Sequence, residues 1–150
     1  MKKILTLLLC FGLFACENAE SVTINDTYMV ETPATFPAAA IYMIVSNRTG
    51  ETDRMIDFKT NRAGRVELHT MAIENDIMRM RRVENFEFPS NWDNTVYALS
   101  PKGDHIMLFD MPSDFVAGEE FTGTAIFEKS GEIPVTITVK SRDDVHKHNH

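Results

Sequence analysis

Residues 121–140, FTGTAIFEKSGEIPVTITVK, decide the fold class. Ile133, Val135, Ile137 and Val139 share one parity, while Thr136, Thr138 and Lys140 share the other. That period of two belongs to a half-buried strand, not a helix. Upstream, residues 121–128 read as its hairpin partner across Lys129-Ser130-Gly131-Glu132. Working outward, short alternating runs recur at 22–30, 40–46, 54–59, 65–71, 77–83, 95–99 and 105–109. Turn chemistry separates them at Asn47-Arg48-Thr49-Gly50, Asn61-Arg62-Ala63-Gly64 and Ser100-Pro101-Lys102-Gly103-Asp104. No window carries three turns of amphipathic helix. Eight or nine short strands at this spacing predict an all-β Greek-key β-sandwich. The stretch 86–94 reads as a loop, and 142–150 as a polar tail outside the core.

The N-terminus reads as an address. Lys2 and Lys3 precede a nearly unbroken apolar run over 4–14, too short to span a bilayer. Leu13-Phe14-Ala15-Cys16 has the form of a lipobox, predicting a signal peptide over 1–15, a lipidated Cys16, and a tether over 16–21. Cys10 leaves with the signal. The mature chain then has no free thiol, so it has neither a disulfide nor a thiolate ligand. Glu17 after Cys16 favours an outer-membrane anchor over an inner-membrane one, facing the periplasm.

The chain has 150 residues and a formal net charge of -7. Without Lys2 and Lys3 the mature part holds 13 basic against 22 acidic residues, about -9. This excludes a nucleic-acid footprint and leaves membrane contact to the lipid alone. With no nucleophile elbow, phosphate loop or zinc-protease helix, the chain reads as a binding protein, not an enzyme, and as a monomer.

Chemistry concentrates in histidine and methionine. Outside the tail there are two histidines, and each opens the same unit: His69-Thr70-Met71 and His105-Ile106-Met107. Residues i and i+2 share a strand face, so each unit aims an imidazole and a thioether together. Between them, Met78-Arg79-Met80 does the same with two thioethers. Val66 and Leu68 occupy the face opposite Glu67, His69 and Met71, so the histidine is not on the obvious apolar side. Met29, Met43 and Met55 read as core filler. Imidazole with thioether and no thiolate suits Cu(I). Zinc would ask for cysteine, histidine or carboxylate.

The stretch from about residue 39 to residue 140 resembles the PCuAC family of periplasmic Cu(I) chaperones. The family pattern is a His, ten residues, a Met, about twenty-one residues, then His-x-Met. Here His69 is followed by ten residues, Met80, twenty-four residues, and His105-Ile106-Met107. The run Val66-Glu67-Leu68 leads into His69, and the surrounding Ile77-Met78-Arg79-Met80-Arg81 and Leu99-Ser100-Pro101-Lys102-Gly103 also match, while Arg82 stands where the family usually has Pro. The resemblance implies a cupredoxin-like domain over 22–141 that ligates Cu(I) through His69, Met80, His105 and Met107. Met71 and Met78 would be nearby transient contacts in a shallow surface site. It further implies delivery by ligand exchange to the CuA subunit of cytochrome c oxidase or to a Sco-type assembly factor. His146, His148 and His150 alternate in the tail and could take Cu(II); the plainer reading is a solvated extension. The competing reading of the whole chain is a copper-independent envelope lipoprotein acting as a scaffold or binding module.

Overall fold

The alternation at 133–140 is seen in three dimensions as the last of ten strands. The computed structural model describes residues 21–74, 76–90 and 96–147. The strands are β1 (Val22–Val30), β2 (Ala39–Asn47), β3 (Asp53–Lys59), β4 (Arg65–Glu74) and β5 (Ile77–Val83). They continue as β6 (Phe86–Phe88), β7 (Tyr97–Leu99), β8 (His105–Phe109), β9 (Glu120–Phe127) and β10 (Gly131–Lys140). A short helix, α1 (Arg142–Lys147), follows. Among the described residues no helix is long and apolar enough to cross a membrane.

The strands hydrogen-bond in the order β5-β4-β8-β2-β1-β10-β9-β3-β6, with β7 also pairing with β2. β1 and β10 run parallel, and the other pairs are antiparallel. The path folds back so that β3 comes near β4 and β6 near β2. The inward faces then meet around one core, which includes Ile41, Met43, Val45, Phe58, Ile106, Leu108, Phe127 and Ile137. Met29, Met43 and Met55 are fully buried there, as expected of core filler.

Two segments depart from expectation. The stretch predicted as a loop from Phe86 contains β6, paired with β3 through Phe86 opposite Met55 and Phe88 opposite Asp53. Three residues are too few for alternation to register, yet both phenylalanines are buried and Glu87 between them is exposed. The tail begins as α1. The Ser141 hydroxyl caps it, accepting from the Asp144 N–H at 3.2 Å and donating to the Asp144 carboxylate at 2.7 Å. Asp143 and Asp144 lie in the first turn, where negative charge favours a helix N-terminus.

Candidate metal centre

The site is built by strand register. In the β4–β8 pair, Val66 opposes Leu108 and Leu68 opposes Ile106. These inward pairs pack on the core and lock the alignment, because a slip of one residue would turn them outward. The outward positions follow: His69 lies directly opposite His105, and Glu67 opposite Met107. On the other side of β4, Met71 opposes Met80, Ile73 opposes Met78 and Arg82 opposes His69. Residues directly opposed share a face. Three adjacent strands therefore present Met80, Met71, His69, His105 and Met107 on one sheet surface, with His69 in the middle. Met78 lies on the same surface, nearer the hairpin end. That hairpin turns through Asp76, which adopts φ 63°, a left-handed conformation that Asp tolerates.

The rings of His69 and His105 have their centroids 6.1 Å apart. Nδ1 of His105 lies 2.9 Å from the Gly103 carbonyl oxygen. A carbonyl only accepts, so Nδ1 carries the proton and Nε2 holds the lone pair. Nε2 of His69 lies 2.8 Å from Oε2 of Glu67. The other nitrogen of His69, Nδ1, is buried and has no hydrogen-bond partner. An orphaned imidazole nitrogen is unusual in a folded interior, where buried polar atoms are nearly always satisfied. It is also the chemistry of a metal donor.

The surface is graded in exposure. His105 is 3% and Met107 9% exposed, whereas Met80 is 49% and Met78 51% exposed. The shallow placement expected for all the donors thus fails for His105 and Met107. β8 is flanked on both sides, by β4 and β2, so neighbouring side chains close over it. β5 is the edge of the sheet and leaves its methionines open to solvent. Met107 is buried without joining the core cluster, since it points to the opposite face. Tyr42 stacks near His105 at 6.4 Å between centroids and in turn meets Tyr28 at 5.4 Å. Burial raises the Tyr42 phenol above its ordinary value, and the neighbouring Tyr28 adds to this, so it stays neutral.

Charge beside the donors is organised on Glu67. Its carboxyl is held below the usual range, first by the hydrogen bond with His69, against an opposing effect of desolvation. Arg65 also bonds to it, and the Arg82 guanidinium lies 3.7 Å away. The guanidinium of Arg65 stacks over Phe109, 4.0 Å from the ring centroid. Among the described residues no three His, Cys, Asp or Glu side chains are grouped to hold a metal. A metal with three or more side-chain ligands at this face would therefore need methionine sulfur. A cavity of about 610 Å³ opens between β3, β4 and the end of β5; it reaches Glu67 and Arg82 but neither histidine.

Sequence reasoning treated Glu67 only as charge on the His69 face, although its i, i+2 spacing to His69 already put the two side by side. Tyr42 carried no such signal. Cys16, His148 and His150 lie outside the described residues, as does the side chain of His146.

A family model described as LpqE-like matches residues 22–139. The chain belongs to the LpqE-like family. A curated relative of this LpqE-like chain is the uncharacterized protein RP573 of Rickettsia prowazekii, 24% identical over 109 residues. The match covers 73% of this chain and 59% of the relative, so the chain spans less than two thirds of that protein's length. Among solved structures, the copper-bound PCuAC domain from PmoF2 is similar at a TM-score of 0.67 and 22% identity, over 81% of this chain and 93% of that one. Apo-DR1885 from Deinococcus radiodurans is similar at a TM-score of 0.61 and 20% identity, over 95% and 93%. The Cu(I) form of DR1885 gives a TM-score of 0.60 at 20% identity, over 84% of each chain. The LpqE-like chain therefore has the PCuAC-type, cupredoxin-like fold that its sequence resembles.

Proposed function

We propose that this protein is an extracytoplasmic Cu(I) carrier, not an enzyme. The observation that carries the reading is the pairing of His69 with His105 across β4 and β8, with a buried, unpartnered Nδ1 on His69. His69, His105, Met107 and Met80 are the donors, and Met71 and Met78 are auxiliary sulfurs. A mixed imidazole and thioether set favours Cu(I). Two solved structures of the same fold are copper forms, the copper-bound PCuAC domain from PmoF2 and CuI-DR1885.

The exposure gradient supports transfer by ligand exchange. His105 and Met107 retain the ion from the covered side, while Met80 on the edge strand is the donor a receiver can displace. A thiolate acceptor outcompetes thioether for Cu(I), so the receiver is a thiolate copper site. The CuA subunit of cytochrome c oxidase and a Sco-type factor fit that chemistry. Cys16 would anchor the carrier by lipid on the periplasmic side, with the outer membrane preferred. The tail histidines, His146, His148 and His150, would provide a separate Cu(II) site.

The test uses the chain from residue 17 onward with His146, His148 and His150 replaced by Asn. Cu(I) is titrated under reductant against a chromophoric chelator. The expected result is one Cu(I) per chain, with affinity falling steeply in His69→Ala. A ratio near zero would leave the copper-independent scaffold as the surviving reading.

A further inference from the structure

Glu67 makes an interaction that the carrier reading does not by itself require. Its Oε2 faces Nε2 of His69 at 2.8 Å, and its other oxygen is engaged by Arg65, with Arg82 nearby at 3.7 Å from Oε1. Two cations on one side of the carboxylate leave Oε2 to the imidazole. An ionised carboxylate can only accept, so the proton between the two groups belongs to Nε2. A neutral imidazole then has its lone pair on Nδ1, the atom that is buried without a partner. His105 shows the reverse arrangement, with Nδ1 donating to the Gly103 carbonyl and Nε2 left as acceptor.

We propose that Glu67 is a positioning residue that locks His69 in the Nε2–H tautomer, so that His69 offers Nδ1 to copper while His105 offers Nε2. This rests on the Cu(I) reading for its metal half but not for its tautomer half. Histidine ligands commonly donate their second N–H to a carboxylate or carbonyl, which fixes the ring and makes the donor nitrogen more basic. Here both kinds of acceptor occur, one on each histidine, and they select opposite ring nitrogens. Arg65 and Arg82 hold Oε1 of Glu67 and leave Oε2 turned toward His69.

Two measurements test it. In the metal-free wild-type protein, ¹⁵N spectra of the imidazoles are recorded well above the histidine titration range. His69 is expected as the Nε2–H tautomer and His105 as the Nδ1–H tautomer. A predominantly Nδ1–H His69 overturns the proposal without any variant. The second measurement is Cu(I) affinity by chelator competition in Glu67→Ala and Glu67→Gln. Loss of the carboxylate in Glu67→Ala is expected to weaken binding about 10–100-fold and to release the His69 tautomer. Glu67→Gln keeps an oxygen acceptor and is expected to recover the tautomer and most of the affinity. Unchanged tautomer and affinity in Glu67→Ala would overturn the proposal. If the wild type shows the expected tautomers but binds no Cu(I), the carrier reading falls and the positioning role of Glu67 stands.

Discussion

Replacing Met43 by Ala and Met107 by Leu separates two roles a buried methionine can have. Met43 lies in β2 opposite Leu99, is 1% exposed, and belongs to the core cluster. Its truncation removes three heavy atoms from the core. At about 0.8 kcal/mol per methylene-sized group, the transfer loss alone is about 2.4 kcal/mol. The residual cavity adds to this, which puts Met43→Ala within the usual range of about 2–5 kcal/mol. For a domain of this size each kcal/mol is worth about 4 °C, so the melting temperature should fall by roughly 8–20 °C. Met107 is buried on the opposite face, between Ala40 and Glu67 in the flanking strands. Met107→Leu nearly conserves volume and should cost less than about 1.5 kcal/mol, while removing a sulfur donor. The prediction is a crossed pattern. Thermal unfolding followed by circular dichroism drops sharply for Met43→Ala and little for Met107→Leu. Cu(I) affinity, read by chelator competition, is unchanged for Met43→Ala and falls at least about tenfold, 1.4 kcal/mol, for Met107→Leu. Undiminished copper affinity in Met107→Leu would refute the assignment of that sulfur as a donor.

Two further predictions concern the framework that holds the site. Asp53 is buried and its carboxylate accepts from the backbone N–H groups of Arg54, Lys129 and Ser130 and from the Ser130 hydroxyl, tying β3 to the β9–β10 turn. Burial alone would push this carboxyl up, but the Ser130 hydroxyl and the three N–H groups outweigh it and hold it below its ordinary value. A depressed folded value means the stabilisation is complete above the unfolded aspartate value of about 3.9 and is lost as pH falls through the folded one. Asp53→Asn should therefore cost about 1–3 kcal/mol at neutral pH, and the gap to wild type in urea unfolding should shrink in acid; a gap independent of pH would contradict this. At Gly123, an added Cβ would stand 2.4 Å from Cζ of Phe58 and 3.2 Å from Cδ1 of Ile137. Gly123→Ala should destabilise by about 1–3 kcal/mol through this overpacking, exceeding the gain of about 0.4–1 kcal/mol from a stiffer unfolded chain; a raised urea midpoint would show that Phe58 can move aside.

Much of the architecture was legible because alternation is a local signal. β10, β8 and β5 follow from parity within a few residues, and so does the sharing of a face by His105 and Met107. The buried roles of Met29, Met43 and Met55 were legible from residue type, since a thioether in a β-sandwich usually fills the core. β6 escaped because its two inward phenylalanines make a single repeat of the alternation, too short to stand out. The start of α1 escaped although Ser141 and Asp144 stand at capping-box spacing, because six residues carry too little amphipathic pattern to contrast with a polar tail. Glu67 was within reach, since only one residue separates it from His69 on the same strand.

Local patterning alone determined that imidazole and thioether travel in pairs, that His69 points away from the face of Val66 and Leu68, and that no cysteine lies with them in residues 22–141. Which pairs meet is a property of the folded whole. β4 and β8 are separated by three intervening strands, and their alignment is set by Val66 on Leu108 and Leu68 on Ile106 in the core. Those apolar contacts bring His69 opposite His105 as a by-product of packing on the other side of the sheet. The enclosure of His105 and Met107 beside the openness of Met80 likewise depends on strand order, because an interior strand is covered from both sides and an edge strand from one.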